Sequence, residues 1–214
     1  MQLDPKAMAG LDTHARVLES LAELSGSVAD LGTGQGALAV ELARLGFDVH
    51  ACDADGETFA ADGVPRICFQ TADLNARFPF PDEHFDIVCA VEIIEHLENP
   101  RHFLRECHRT LKPGGLIVVT TPNVLNISSL LTMLFHGCLV YFSQKEYHSN
   151  HHITPLRLQD VENICSEIGL ALIRTDYNVG KVPIPKLRHW MPLRARACRN
   201  RWLGESLIVW VRKT

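Results

Sequence analysis

The chain has 214 residues, 46% hydrophobic and 21% charged, and a formal net charge of −4. That length buries one sizeable core, and the mild acidity argues against nucleic acid as the main partner. The longest apolar stretch, residues 129–142, is too short to span a bilayer and is broken by His136 and Gly137, and residues 1–20 have no leader-like run.

The first predicted element is a helix over residues 13–24, with Thr13 as N-cap and Val17, Leu18, Leu21 and Leu24 on one stripe. SVADL (27–31) reads as a strand, residues 36–46 as a helix closed by Gly46, and FDVHACD (47–53) as a second strand. RICFQ (66–70), FDIVCAV (85–91) and GLIVVTT (115–121) are further strands, with a helix over 100–111 before the last. Strand–helix alternation predicts an α/β, Rossmann-like doubly wound sheet, mostly parallel and covered on both faces. About thirty residues then precede a helix over 153–169. A connection so long, at the carboxyl end of a parallel strand, marks 122–152 as a lid or acceptor-binding insertion in a single domain over 1–214. LALIRTDYNV and ESLIVWVRKT follow with no helix between them, which predicts an antiparallel hairpin at one edge of the sheet.

Seven cysteines are scattered without a CxxC pair, so reduced thiols in the cytoplasm are expected. Residues 181–202 carry Lys181, Lys186, Arg188, Arg194, Arg196, Arg199 and Arg201, no acid, and Trp190 and Trp202. Such a segment suits an anionic or lipid-linked acceptor, peripheral contact with the inner membrane face or a nucleic-acid backbone; a solvated loop is the alternative.

VADLGTGQGA (28–37) is a strand, a glycine-rich turn and a helix start. Gly32 permits the tight turn, Gly34 permits close backbone approach, and the helix N-terminus presents unpaired N–H groups. Taken alone the loop serves NAD or S-adenosylmethionine equally, and under either reading Asp53 ends the next strand where an acid holds a ribose diol. Further on, EIIEHL (92–97) follows an apolar strand with Glu92, Glu95 and His96 at spacings of three and four. On one helical turn these share a face, and two adjacent acids repel unless a proton, an arginine or a metal ion lies between them.

Asp30 with Gly32, Gly34 and Gly36, then Asp53, TADL (71–74), FDIVCAVEIIEHL (85–97), LKPGG (111–115) and the terminal strand pair resemble the class I S-adenosylmethionine-dependent methyltransferases. The resemblance implies a seven-stranded sheet with its last strand antiparallel. It implies that Asp30, Gly32, Thr33, Gly34 and Gly36 pack against the methionine part of the cofactor, with Val91 nearby. Asp53 and Ala54 would meet the ribose, and Asp73 and Leu74 the adenine. Read from the residue alone, Asp73 is a turn cap and Arg16 a surface arginine, though Arg16 could also neutralise the methionine carboxylate. The ExxEH arrangement is similar to that of ubiquinone-pathway O-methyltransferases and of small-RNA 2′-O-methyltransferases. In both it implies a divalent ion such as Mg, here on Glu92, Glu95, His96 and His152. ITPL after His152 departs from the RNA enzymes.

The function this implies is methyl transfer from S-adenosylmethionine to a hydroxyl of a small molecule, a phenolic quinone precursor or a glycan, with Glu95, His96 and His152 as catalytic residues. A metal-free variant leaves His96 as general base. The alternatives are a catalytically idle cofactor-binding or scaffold protein, a small-RNA methyltransferase, and an NAD-dependent oxidoreductase, for which no hydride-transfer constellation is visible.

Overall fold

The computed structural model describes residues 5, 9–10, 12–180 and 199–214. Seven strands hydrogen-bond into one sheet: β1 Ser27–Leu31, β2 Asp48–Asp53, β3 Ile67–Thr71, β4 Phe85–Val91, β5 Leu111–Pro122, β6 Leu170–Tyr177 and β7 Ser206–Lys213. Their order is β3-β2-β1-β4-β5-β7-β6. The first five pair in parallel, and β7 runs antiparallel to both of its neighbours. The helices among the described residues are α1 Thr13–Leu21, α2 Ala37–Arg44, α3 Pro100–Thr110, α4 Ile127–His136, α5 Gln144–Asn150 and α6 Leu158–Glu167.

FDIVCAV shows why the central strands are apolar throughout. Phe85, Val88 and Ala90 of β4 enter one core with Phe103 and Leu104 of α3 and Val161 and Ile164 of α6. Ile87, Cys89 and Val91 enter a second core on the opposite face, with Val17 and Leu21 of α1 and Leu38 and Leu42 of α2. A strand buried on both faces has no polar side to display.

Element ends differ from the predicted ones for local reasons. α1 stops at Leu21, which leaves Leu24 exposed, and Asp12 rather than Thr13 stands at its N-cap. α6 begins at Leu158 instead of 153, because the Ile153 and Thr154 amides donate to Glu95 O and Pro155 disfavours helix in the residue before it. β5 starts at Leu111, so LKPGG lies within the strand, with Gly114 at φ +75°. β6 and β7 do form the expected antiparallel pair.

The chain winds outward from β1 in both directions, so the crevice between β1 and β4 is a topological switch point, where ligands bind in open α/β sheets. Within the 122–152 segment, the end of α5 reaches that crevice through Ser149 and Asn150, while α4 borders a separate groove through Leu130. Among the described residues no helix is long and apolar enough to cross a membrane.

Candidate active site

A cavity of about 680 Å³ opens at the carboxyl ends of β1, β2 and β4. Its floor is the turn after β1, where the Gly32 and Thr33 amides donate to Cys52 O at 2.9 and 3.0 Å. Gly32 has φ +74° and Gly36 has φ +87°, both in the left-handed region. A Cβ on Gly32 would stand 2.5 Å from Ile93 Cγ1, and one on Gly36 would stand 2.8 Å from Phe59. Both positions therefore exclude a side chain for conformation and for space. Asp30 Oδ2 accepts from Thr33 Oγ1 at 2.6 Å, and burial pushes its carboxyl up to about 6. Asp53 Oδ2 accepts from the Gly34 amide at 2.8 Å, which ties the loop to the end of β2. The start of α2 lines the cavity through Ala37 and Leu38. A glycine cradle, a helix N-terminus and two acids fit an adenosyl cofactor that presents a ribose diol and a charged methionine end.

Beyond β4 the backbone turns sharply. Glu92 adopts φ +51°, uncommon for a residue with a side chain and the kind of strain that clusters at functional sites. Only Ile94–His96 form a short 3-10 turn. The single α-turn predicted for Glu92, Glu95 and His96 does not form, because β4 runs to Val91 and Glu92 must reverse the chain. Thr120 Oγ1 donates to Glu92 Oε1 at 2.8 Å, and the Glu92 amide donates back to Thr120 Oγ1 at 3.0 Å. Glu92 still lines the cavity; among the described residues the group whose ligand atoms lie together consists of Glu95, His96 and His152. One ligand atom from each of these three lies within 4.8 Å of the others.

His152 arrives from the far end of the insertion. The Ile153 and Thr154 amides donate to Glu95 O at 3.0 and 2.9 Å, and Thr154 Oγ1 donates to Leu97 O at 2.6 Å. The His96 and His152 rings then stand 4.8 Å apart, edge to face, with His152 Nδ1 2.8 Å from Tyr141 O. A donor at Nδ1 leaves Nε2 of His152 as a lone-pair ligand. Burial, then the neighbouring His152, hold His96 below the usual imidazole range. Glu95 is fully buried, and among the described residues neither carboxylate oxygen makes a well-formed hydrogen bond, although the Thr121 hydroxyl favours its charged form. Desolvation first, and Glu92 second, raise its carboxyl well above the usual range. A buried carboxylate so poorly supplied with donors is costly unless it is protonated or a cation sits against it, so the residues present fit a metal ion.

Val91, Gly32, Thr33 and Gly34 line the cavity with Asp30 and Asp53. Gly36 lies one step behind, as the N-cap of α2. Ala54, Asp73 and Leu74 stand outside the lining. Asp73 Oδ1 accepts from the Asn75 amide at 2.9 Å in a turn, and Leu74 is buried in the α3-side core. Arg16 pairs with Glu19 and Asp176, away from the cavity. His14 of α1 faces the cavity instead, together with Thr58, Ser149 and Asn150. None of these four carries a local motif, and only the fold brings them in. Basic residues 181–198 lie outside the described residues, while Arg199 pairs with Asp12 at 2.9 Å.

Residues 29–119 match the family model of a methyltransferase domain. The ubiquinone biosynthesis O-methyltransferase of Caulobacter sp. (strain K31) is 38% identical over 100 residues, 44% of this chain and 40% of that protein. The mitochondrial enzyme of the same name from Rattus norvegicus is 31% identical over 178 residues, 78% of this chain and 50% of that protein. The chain thus spans half or less of the length of these curated relatives. An S-adenosylmethionine-dependent methyltransferase structure from Archaeoglobus fulgidus superposes with a TM-score of 0.68 at 16% identity, covering 94% of this chain and 92% of that one. One from Mesorhizobium loti gives 0.63 at 18% identity, covering 95% and 100%. With its switch-point cavity and glycine cradle, the chain belongs to the class I S-adenosylmethionine-dependent methyltransferases.

Proposed function

We propose that the protein transfers a methyl group from S-adenosylmethionine to a hydroxyl oxygen of a small acceptor, with a divalent ion on Glu95, His96 and His152. The observation that carries this reading is Glu95, a fully buried carboxylate without a well-formed hydrogen bond among the described residues, whose ligand atom lies within 4.8 Å of those of two imidazoles. Bound there, a divalent ion would lower the pKa of an acceptor hydroxyl as it lowers that of water. The sulfonium is already a good leaving group, so the remaining task of the chain is to align the acceptor and keep it deprotonated. The glycine loop and Asp53 hold the donor, while the insertion carrying His151 and His152 walls the acceptor side. Two nitrogens and one oxygen suit Mn, Fe, Co or Zn better than Mg, which prefers oxygen. The ubiquinone biosynthesis O-methyltransferase relatives support oxygen as the methylated atom and a small molecule as the acceptor. The six described cysteines are free thiols, which supports a reducing compartment such as the cytoplasm.

A metal-free reading has one observation in its favour. Burial keeps His96 neutral near pH 7, in the form a general base requires. Calorimetric titration of the protein with Mn²⁺ separates the two. The metal reading expects saturable binding that weakens at least about tenfold in Glu95→Gln, the scale of loss when an ion's ligand shell is disturbed. Absence of binding, with cofactor affinity intact, would leave His96 as the base.

A further inference from the structure

We propose that α4 is an interfacial helix that docks this protein on an anionic lipid bilayer, beside the mouth of the acceptor site. The inference deepens the acceptor reading above by naming where a lipid-linked acceptor would be met; docking itself stands on separate residues.

α4, ISSLLTMLFH, has no Lys, Arg, Asp or Glu. Leu134 and Phe135 are 74% and 73% exposed, Met133 is 50% and Leu131 is 46%. Leu125, Ile127 and Leu130 extend the patch at the helix start. Apolar exposure on this scale, on nearly every side of a helix, exceeds the isolated surface leucines normal for a monomer. Ten residues are too few to cross a bilayer, so such a helix lies along its surface.

Charge and aromatic placement favour lipid over a protein partner. The Ile127 amide donates to Trp202 O at 2.8 Å, which fixes the start of α4 against the strand-β7 approach. Trp202 is half exposed, and the Arg201 guanidinium lies 4.3 Å above its ring. Between them a groove of about 300 Å³ runs past Leu125, Leu130, Leu156 and Tyr177. An exposed tryptophan with arginine at the edge of an apolar face is the pairing that favours the headgroup layer. Residues 181–201 carry seven basic residues and no acid in a chain whose net charge is −4, and Arg201, the last of them, stands over Trp202 beside the start of α4. The same insertion carries α5 and His151 and His152, which line the cavity, so a docked α4 brings the acceptor mouth to the lipid surface.

The test is co-sedimentation of the full chain with vesicles of phosphatidylglycerol and phosphatidylcholine, against phosphatidylcholine alone, at low and high salt. Binding to the anionic vesicles is expected, weakened by salt within a Debye length. The double variant Leu134→Ser, Phe135→Ser should lose at least about tenfold in partition, since buried apolar area drives insertion. Both side chains are exposed, and Phe135→Ser alone serves if the pair disturbs folding as read by circular dichroism. Binding of S-adenosylhomocysteine and of Mn²⁺ should be unchanged in the variants, which separates failure of docking from failure of the functional reading. Three results would overturn the proposal: no preference for anionic vesicles, undiminished binding by the variants, or a soluble dimer that the variants dissolve and that binds no vesicles.

Discussion

Asp30 is 2% exposed at the end of β1, and desolvation raises its carboxyl from 3.8 to about 6. A raised folded-state pKa means the fold prefers the protonated acid. The stability this group contributes is therefore full below pH 4 and is lost as pH rises through 6. The loss above pH 6 is about 3 kcal/mol by linkage. Asp30→Asn should raise the apoprotein melting temperature at pH 7, converge with wild type near pH 4, and weaken S-adenosylhomocysteine binding; melts across that pH range with calorimetry check all three. A parallel expectation holds at Asp53, whose two oxygens accept from the Gly34 and Asp55 amides. Asp53→Ala should weaken cofactor binding by about 1–3 kcal/mol, the usual penalty for leaving polar partners unsatisfied. These two acids were legible because each ends a strand beside a glycine turn. His14 was not, since nothing in THARVLESL distinguishes a residue facing a cavity from one facing solvent.

At the scale of elements, the stretch from Glu92 to His96 shows how spacing misleads. Residues three and four apart share a face only if an α-helix continues through them. Here β4 ends at Val91, Glu92 takes φ +51° and bonds Thr120, and among the described residues Glu95 and His96 cluster with His152, more than fifty residues away in sequence. What brings His152 in is backbone pairing of 153–154 with Glu95 O, locked by the Thr154 hydroxyl on Leu97 O. Thr154→Val keeps the shape and removes that hydroxyl. It should weaken Mn²⁺ binding several-fold while leaving S-adenosylhomocysteine affinity unchanged, as titration with each ligand would show. Gly32→Ala tests the opposite wall. Left-handed backbone costs an alanine about 1–2 kcal/mol, and its Cβ would also strike Ile93, so lower thermal stability and loss of cofactor binding are both expected.

Over the whole molecule, the two ends of the chain are fastened together through one fully buried amide. Asn178 Oδ1 accepts from the Glu205 and Ser206 amides at 2.8 and 2.7 Å, and its Nδ2 donates to Thr13 Oγ1 at 3.2 Å. α1 is thereby held on the β6–β7 end of the sheet. Asn178→Ala leaves several buried groups unsatisfied and should cost about 2–4 kcal/mol in urea unfolding. The sequence by itself determined the strands, the parallel order of the first five, the glycine cradle and the family. Each of these is local: runs buried on both faces must be apolar, and a left-handed turn against Ile93 must be glycine. Only the tertiary structure decided which acids and histidines meet, that Arg16 is spent on Asp176, and that α4 stands apolar to solvent. Those outcomes depend on how a long insertion packs back over the carboxyl end of the central strands, and no periodicity within the insertion encodes what it will pack against.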